Sequence, residues 1–124
     1  MRSVRLVGLG LSIALHAAAL GATPFDGAYD RSHDACRKEF SDTRTIIEGN
    51  SQQVWEGHCT LSNPTRIRDM PYAILYDANC SQEGTRYYSR TLIFTLGAGN
   101  PDLGVLSNGY LSLYYRCPFG TTMY

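Results

Sequence analysis

The chain has 124 residues, 44 % of them hydrophobic, with 11 Lys and Arg balancing 11 Asp and Glu. That length allows one small domain and excludes a multidomain enzyme. The cations are scattered rather than gathered in a basic stripe, so nucleic acid is not an expected partner.

The N-terminus reads MRSVRLVGLGLSIALHAAALGATP. Arg2 and Arg5 make a positive start, Leu6 to Leu15 is an uncharged and mostly apolar run, and mostly small residues follow from Ala17 to Ala22. This is the order of a secretory signal peptide, and the apolar run is too short to span a bilayer. Residues 1–22 are expected to be removed, with cleavage after Ala19, Gly21 or Ala22 and the last two preferred. A single secreted β domain over 23–124 would remain, with nine cations against eleven acidic residues. No cysteine lies at the cleavage region, so a lipid anchor is not indicated, and no second apolar run predicts a membrane span. The expected location is periplasmic or secreted.

After the leader comes DRSHDACRKEF (30–40), where Asp30 or Ser32 is a candidate cap for a short helix carrying Cys36 and Phe40 on one face. From residue 43 strand-like runs alternate with turn signals, an all-β pattern. Strands are predicted near 43–48, 52–62, 71–81, 85–96, 103–107 and 110–117. The turns between them are Gly49-Asn50, the Arg68–Pro71 region, Gln82-Glu83-Gly84, Gly97 to Pro101 and Asn108-Gly109. Asn-Gly between apolar runs is the strongest of these hairpin signals. No helical pattern separates the strands, which argues against parallel βαβ units.

Side chains alternate across a strand. In VWEGHCTL (54–61) this predicts Trp55, Gly57, Cys59 and Leu61 on a core face, with Val54, Glu56 and His58 outside. A hairpin whose turn centres between Asp69 and Met70 sets Cys59 against Cys80, Leu61 against Ala78 and Trp55 over Gly84. The same register predicts Tyr72, Ile74, Tyr76 and Ala78 in the core. The last strand by the same rule has Leu111, Leu113, Tyr115 and Cys117 inside and Tyr110, Ser112, Tyr114 and Arg116 outside.

Four cysteines in a short exported chain predict two disulfides. The strand register favours Cys59–Cys80, leaving Cys36–Cys117; Cys36–Cys59 with Cys80–Cys117 remains the competing pairing. No CxxC or CxxH spacing points to zinc. No metal site and no cofactor are expected.

Candidate chemistry is sparse. Glu56 and His58 sit two apart on one predicted strand, as an acid/base pair or half a metal site would; a polar solvent face is the plainer reading. His33-Asp34 reads as helix-end chemistry. No G-x-S-x-G, H-E-x-x-H, S-x-x-K or phosphate loop occurs. Tyr87, Arg90, Tyr114 and Arg116 have the composition of a protein-contact surface or a polar cleft, with Glu56 and His58 as further members. Arg90 interrupts the alternation of Tyr88, Leu92, Phe94 and Leu96, which marks a bulge or an inward arginine needing Glu56 or Glu48 as counter-ion.

The segments DGAY, SDTRTIIEGN, WEGHC, CSQEG and YYRCP resemble a group of small exported proteobacterial proteins of unknown function. That resemblance implies a secreted β domain with two disulfides. FDGAYD (25–30) also resembles the G-x-W opening of lipocalin-like barrels, a class that includes periplasmic inhibitors, with Tyr29 in the tryptophan's place. It implies that Arg116, from the last strand, packs over the Tyr29 ring.

The expectation is therefore an all-β antiparallel meander forming a curved sheet or small barrel, with two disulfides and a short N-terminal helix. Its expected role is non-catalytic binding of a periplasmic protein or small ligand, of which inhibition is one form. A small hydrolase built on Glu56 and His58, and a structural envelope protein, are the alternatives.

Overall fold

The computed structural model describes residues 22–124, with Ser3, Arg5, Gly8 and Gly10; the rest of the predicted leader lies outside the described residues. Eight antiparallel strands run in chain order around a closed barrel. They are β1 (Gly27–Asp30), β2 (Thr45–Glu48), β3 (Ser51–Val54), β4 (Gly57–Ile67), β5 (Met70–Gln82), β6 (Thr85–Thr95), β7 (Leu103–Ser107) and β8 (Tyr110–Arg116), with one helix, α1 (His33–Arg37), between β1 and β2. Closure is made by β1 on β8, where Tyr29 pairs with Arg116 and Asp30 with Tyr115. The barrel removes the free sheet edges that an open meander would leave.

Both preferred disulfides are present, Cys36–Cys117 and Cys59–Cys80. The inner cluster includes Phe25, Tyr29, Ile47, Leu61, Ile74, Tyr76, Ile93, Leu103 and Val105 around the Cys59–Cys80 bridge. Phe25 and Arg116 close the end where β1 begins. There the Arg116 guanidinium lies 4.8 Å from the Tyr29 ring centre, its Nη2 donates to the Tyr29 hydroxyl (2.8 Å) and its Nη1 to the Asp26 carbonyl (2.9 Å). Gly27, at φ 151°, leaves room for that guanidinium, since a Cβ there would collide with Nη1.

Several expectations are corrected. There are eight strands rather than six. The chain GAYD carries no apolar alternation, yet it becomes β1 because it completes the barrel against β8. The expected strand 52–62 is two strands, because Trp55 and Glu56 form a tight turn with Glu56 at φ 49° and Val54 pairing with Gly57. Trp55 therefore does not cover Gly84; it packs between Phe40 (4.7 Å) and Tyr124 (6.0 Å). The helix is capped by Ser32, whose Oγ accepts from the Ala35 amide (3.0 Å), and it ends before Phe40. Asp30 is buried elsewhere.

The β4–β5 turn is Arg68-Asp69, one residue earlier than expected, with Ile67 opposite Met70. Two register shifts, between Ser62 and Thr65 and between Arg66 and Ile67, restore Cys59 opposite Cys80. Tyr72 lies near this hairpin's tip and is 72 % exposed rather than in the core.

The parity of β6 and β8 is the reverse of the expected one. Ser89, Thr91 and Ile93 face inward, as do Ser112 and Tyr114, while Leu92, Phe94, Leu111 and Leu113 face outward. The reason is space. A small barrel tapers and fills by mixing large and small side chains. The disulfide, Tyr29 and Tyr76 occupy the inside, so the facing positions are Ser and Thr. Those hydroxyls satisfy one another: Ser89 lies 2.5 Å from the Ser107 hydroxyl, and Thr91 donates to Ser107 at 3.2 Å.

Candidate functional site

The six residues singled out from the sequence do not form one surface. Tyr87 lies in the inward row, opposite Cys80 and half-exposed near the barrel end that carries the Glu56 and Glu83 turns. Tyr114 also turns inward, packing on the core, with the Arg31 guanidinium 5.5 Å over its ring. Arg116 closes the opposite end. Arg90 faces outward without a bulge, its Nε 3.5 Å from Asp77 Oδ1, so neither Glu56 nor Glu48 is its counter-ion.

Glu56 stands at the β3–β4 turn beside the β5–β6 turn, where the Glu83 amide donates to the Glu56 carbonyl (3.0 Å). A hydrogen bond between the two carboxyl groups raises the Glu56 pKa above its ordinary value. His58 faces outward, its Nε2 2.9 Å from the Ser51 hydroxyl. That is the spacing of a nucleophile and its base. Among the described residues no carboxylate contacts the other ring nitrogen, so the imidazole lacks the group that would orient it. No cluster of three or more His, Cys, Asp or Glu among the described residues is placed to hold a metal ion.

A different surface stands out. On the outer side of the barrel Leu75 pairs with Leu92, Leu92 with Leu106, and Leu106 with Leu111, so four leucines form one row across four strands. The next row is Ala73, Phe94, Gly104 and Leu113. Gly104 has no side chain to hold the Phe94 ring away, and a Cβ there would collide with it. Leu106 is 40 % and Leu111 55 % exposed. At the rim Asp77 accepts from Asn63 Nδ2 and from the Tyr88 hydroxyl, both at 2.7 Å. The Asn63 bond, then the Tyr88 bond, hold the Asp77 pKa below its ordinary value.

On the other side of the barrel β1–β3 carry a partial cover. Cys36–Cys117 ties α1 to the end of β8, and the C-terminal tail runs beside β2 and β3. Arg44 holds this cover: its Nη1 donates to the Thr122 carbonyl (2.7 Å), and its Nη2 to those of Lys38 (2.7 Å) and Ala35 (2.9 Å). The chain thus spends its non-barrel residues on β1–β3, and in the leucine row Leu106 and Leu111 are exposed while Leu75 and Leu92 are partly buried.

Sequence reasoning missed this row because it took outward Leu92, Phe94, Leu111 and Leu113 as core. The available signal was Ser89, Thr91 and Ser107 at one strand parity, which leaves the leucines the other face. Comparison with protein-family models, with curated proteins and with solved structures found no match.

Proposed function

We propose that this chain is an exported, non-catalytic binding protein whose partner is another protein, engaged through the outer face of β5–β8. The observation that carries this reading is the outward row Leu75–Leu92–Leu106–Leu111, exposed at Leu106 and Leu111 and partly buried at Leu75 and Leu92, with the partly buried Phe94 and Leu113 beside it. A contiguous exposed apolar patch with a polar rim marks an interaction surface on a soluble domain. Small-molecule sites are concave. The outside of a barrel is convex and fits a protein surface better. The interior supports the same choice, because core side chains fill it. Arg90, Tyr88 and Asp77 form the polar rim. Export is supported by the order of residues 1–22 and by two disulfides, which persist in oxidising compartments.

The test is native mass spectrometry of the protein isolated gently from its host, beside a Leu106→Lys/Leu111→Lys variant. The wild type should carry a protein of discrete mass that the variant loses while its melting temperature stays put. A variant that retains the same partner, or a wild type that travels alone, would overturn the reading.

A further inference from the structure

We infer a second binding site, separate from the leucine row, on the outer face of β4–β6, for a small polyhydroxylated molecule bearing one carboxylate. Cys59 and Cys80 are buried and directly opposed, so His58 and Thr60 on β4 and Asn79 and Ser81 on β5 turn outward. Arg86 and Tyr88 turn outward on β6. The register sets His58, Ser81 and Arg86 side by side in one row and Thr60, Asn79 and Tyr88 in the next. The barrel surface is convex, but here it dips, because a short serine stands between two long side chains. Ser81 is the floor of a cleft of about 420 Å³ with His58, Thr60, Asn79 and Arg86 around it. Arg86 and Leu92 lie at the two ends of a stretch of β6 about 20 Å long, so the cleft and the leucine row are different surfaces.

The polar groups of this cleft have no partner in the protein. Among the described residues the side chains of Thr60, Asn79, Ser81 and Arg86 make no hydrogen bond or ion pair. His58 gives Nε2 to the Ser51 hydroxyl (2.9 Å), and its other ring nitrogen has no partner among those residues. The acidic groups nearby are Asp77 on one side and Glu56 and Glu83 on the other. Asp77 is held by Asn63, Tyr88 and Arg90. Glu56 and Glu83 stand together at the turns where β3–β4 and β5–β6 reverse.

These features select the ligand. An arginine presents a planar fork of donors that matches a carboxylate. Ser81, Thr60 and Asn79 donate and accept, as bonding to hydroxyl groups requires. His58 and Arg86 stand two strand spacings apart, about 10 Å, which suits a substituted sugar ring rather than a bare ion. The volume lies within the range of small-molecule sites. The Glu56 and Glu83 carboxyl groups disfavour a second negative charge, such as a phosphate carries. The occupant is therefore a sugar acid, its carboxylate on Arg86 and its hydroxyls reaching across Ser81 toward His58.

Glucuronate, methyl glucoside and acetate are the probes, followed on the secreted protein by the NMR shifts of the backbone amides at positions 60, 79 and 81. Millimolar glucuronate should move all three. Methyl glucoside lacks the charge and acetate lacks the hydroxyls, and each should bind about tenfold more weakly. Arg86→Gln should weaken glucuronate about ten- to hundredfold, the value of hydrogen bonds to a charged group. Ser81→Ile, which fills the floor, should abolish binding, and Arg68→Gln, at the exposed tip of the β4–β5 hairpin, should leave it unchanged. Amides that do not move, acetate or methyl glucoside binding as well as glucuronate, or an Arg86→Gln variant that binds undiminished would overturn the assignment. The three-probe comparison needs no variant, so it stands even if a substitution folds poorly.

Discussion

Arg44 and Asp30 form an ion pair sealed from solvent: Arg44 Nε lies 3.3 Å from Asp30 Oδ2, and the two side chains are 2 % and 0 % exposed. A buried charge is tolerable only when paired and fully hydrogen-bonded. Here the remaining guanidinium donors reach backbone carbonyls of α1, of the loop after it and of the C-terminal tail. Asp30 in turn accepts from the Thr43 hydroxyl (2.6 Å) and the Arg31 amide (2.8 Å). Arg44→Met should cost about 3–5 kcal/mol, because it strands a buried carboxylate, and Arg44→Met/Asp30→Leu should recover part of that loss. Urea unfolding of the three proteins checks both.

The same pair sets an acid limit. Burial pushes the Asp30 carboxyl up, but the hydrogen bonds from Thr43, the Arg31 amide and Arg44 outweigh it, and its pKa falls below the ordinary 3.8. A depressed folded pKa contributes stability that is present above the unfolded value and lost as pH falls through the folded one. Unfolding free energy should therefore hold above about pH 5 and drop below about pH 4. In Arg44→Met/Asp30→Leu the drop should be shallower. Equal slopes in the two proteins would remove Asp30 as its source.

At the β3–β4 turn the sign reverses. Glu83 raises the Glu56 pKa. A raised carboxyl favours the fold while protonated, and that contribution disappears as pH rises through the folded pKa. Glu83→Gln should bring the Glu56 titration down toward 4.5, read by carbon NMR of the carboxyl group. An unchanged midpoint would show that the two carboxyl groups do not meet in solution.

The disulfides close loops of different length, with sequence separations of 81 for Cys36–Cys117 and 21 for Cys59–Cys80. In the chain-entropy account these are worth about 4.5 and about 3 kcal/mol. Paired alanine replacements should rank in that order in urea. The Cys36/Cys117 replacement should also release α1 and the tail, seen as faster exchange of the amides at positions 35 and 36 than in the Cys59/Cys80 variant.

Gly27 and Arg116 test the closed end. Gly27→Ala puts a side chain at φ 151° and against the Arg116 guanidinium. The strained backbone alone costs about 1–3 kcal/mol. Gly27→Ala should cost less on an Arg116→Ala background, because part of the penalty is the collision. A fully additive double variant would contradict the contact.

The legible parts of this fold were those fixed by pairing, and the illegible ones by space. Cys59–Cys80 followed from strand register even though the turn was misplaced by one residue, because two β-bulges absorbed the error. Asn108-Gly109 marked its hairpin as expected, both residues taking left-handed φ values of 51° and 79°. The Trp55-Glu56 turn carried no such signal, since the only glycine there, Gly57, already belongs to β4. The inward Ser89, Thr91 and Ser107 could not be read by hydrophobicity, as their place inside depends on what the disulfide and the tyrosines leave unfilled. The leucine row was lost with them. Arg44 was also missed, because a lone arginine at the start of a strand shows nothing of the five carbonyls and one carboxylate it gathers from across the chain.

The outer face of β5–β8 is proposed to meet a protein. Site-specific photocrosslinking in the living host is the test, with the reactive residue placed in turn at 92, 106 and 111 and, as controls away from β5–β8, at Gln53, His58 and Thr60. Adducts of one discrete partner mass should form at the three leucine positions and none at the controls. Adducts spread evenly over both sets, or confined to the control positions, would contradict it.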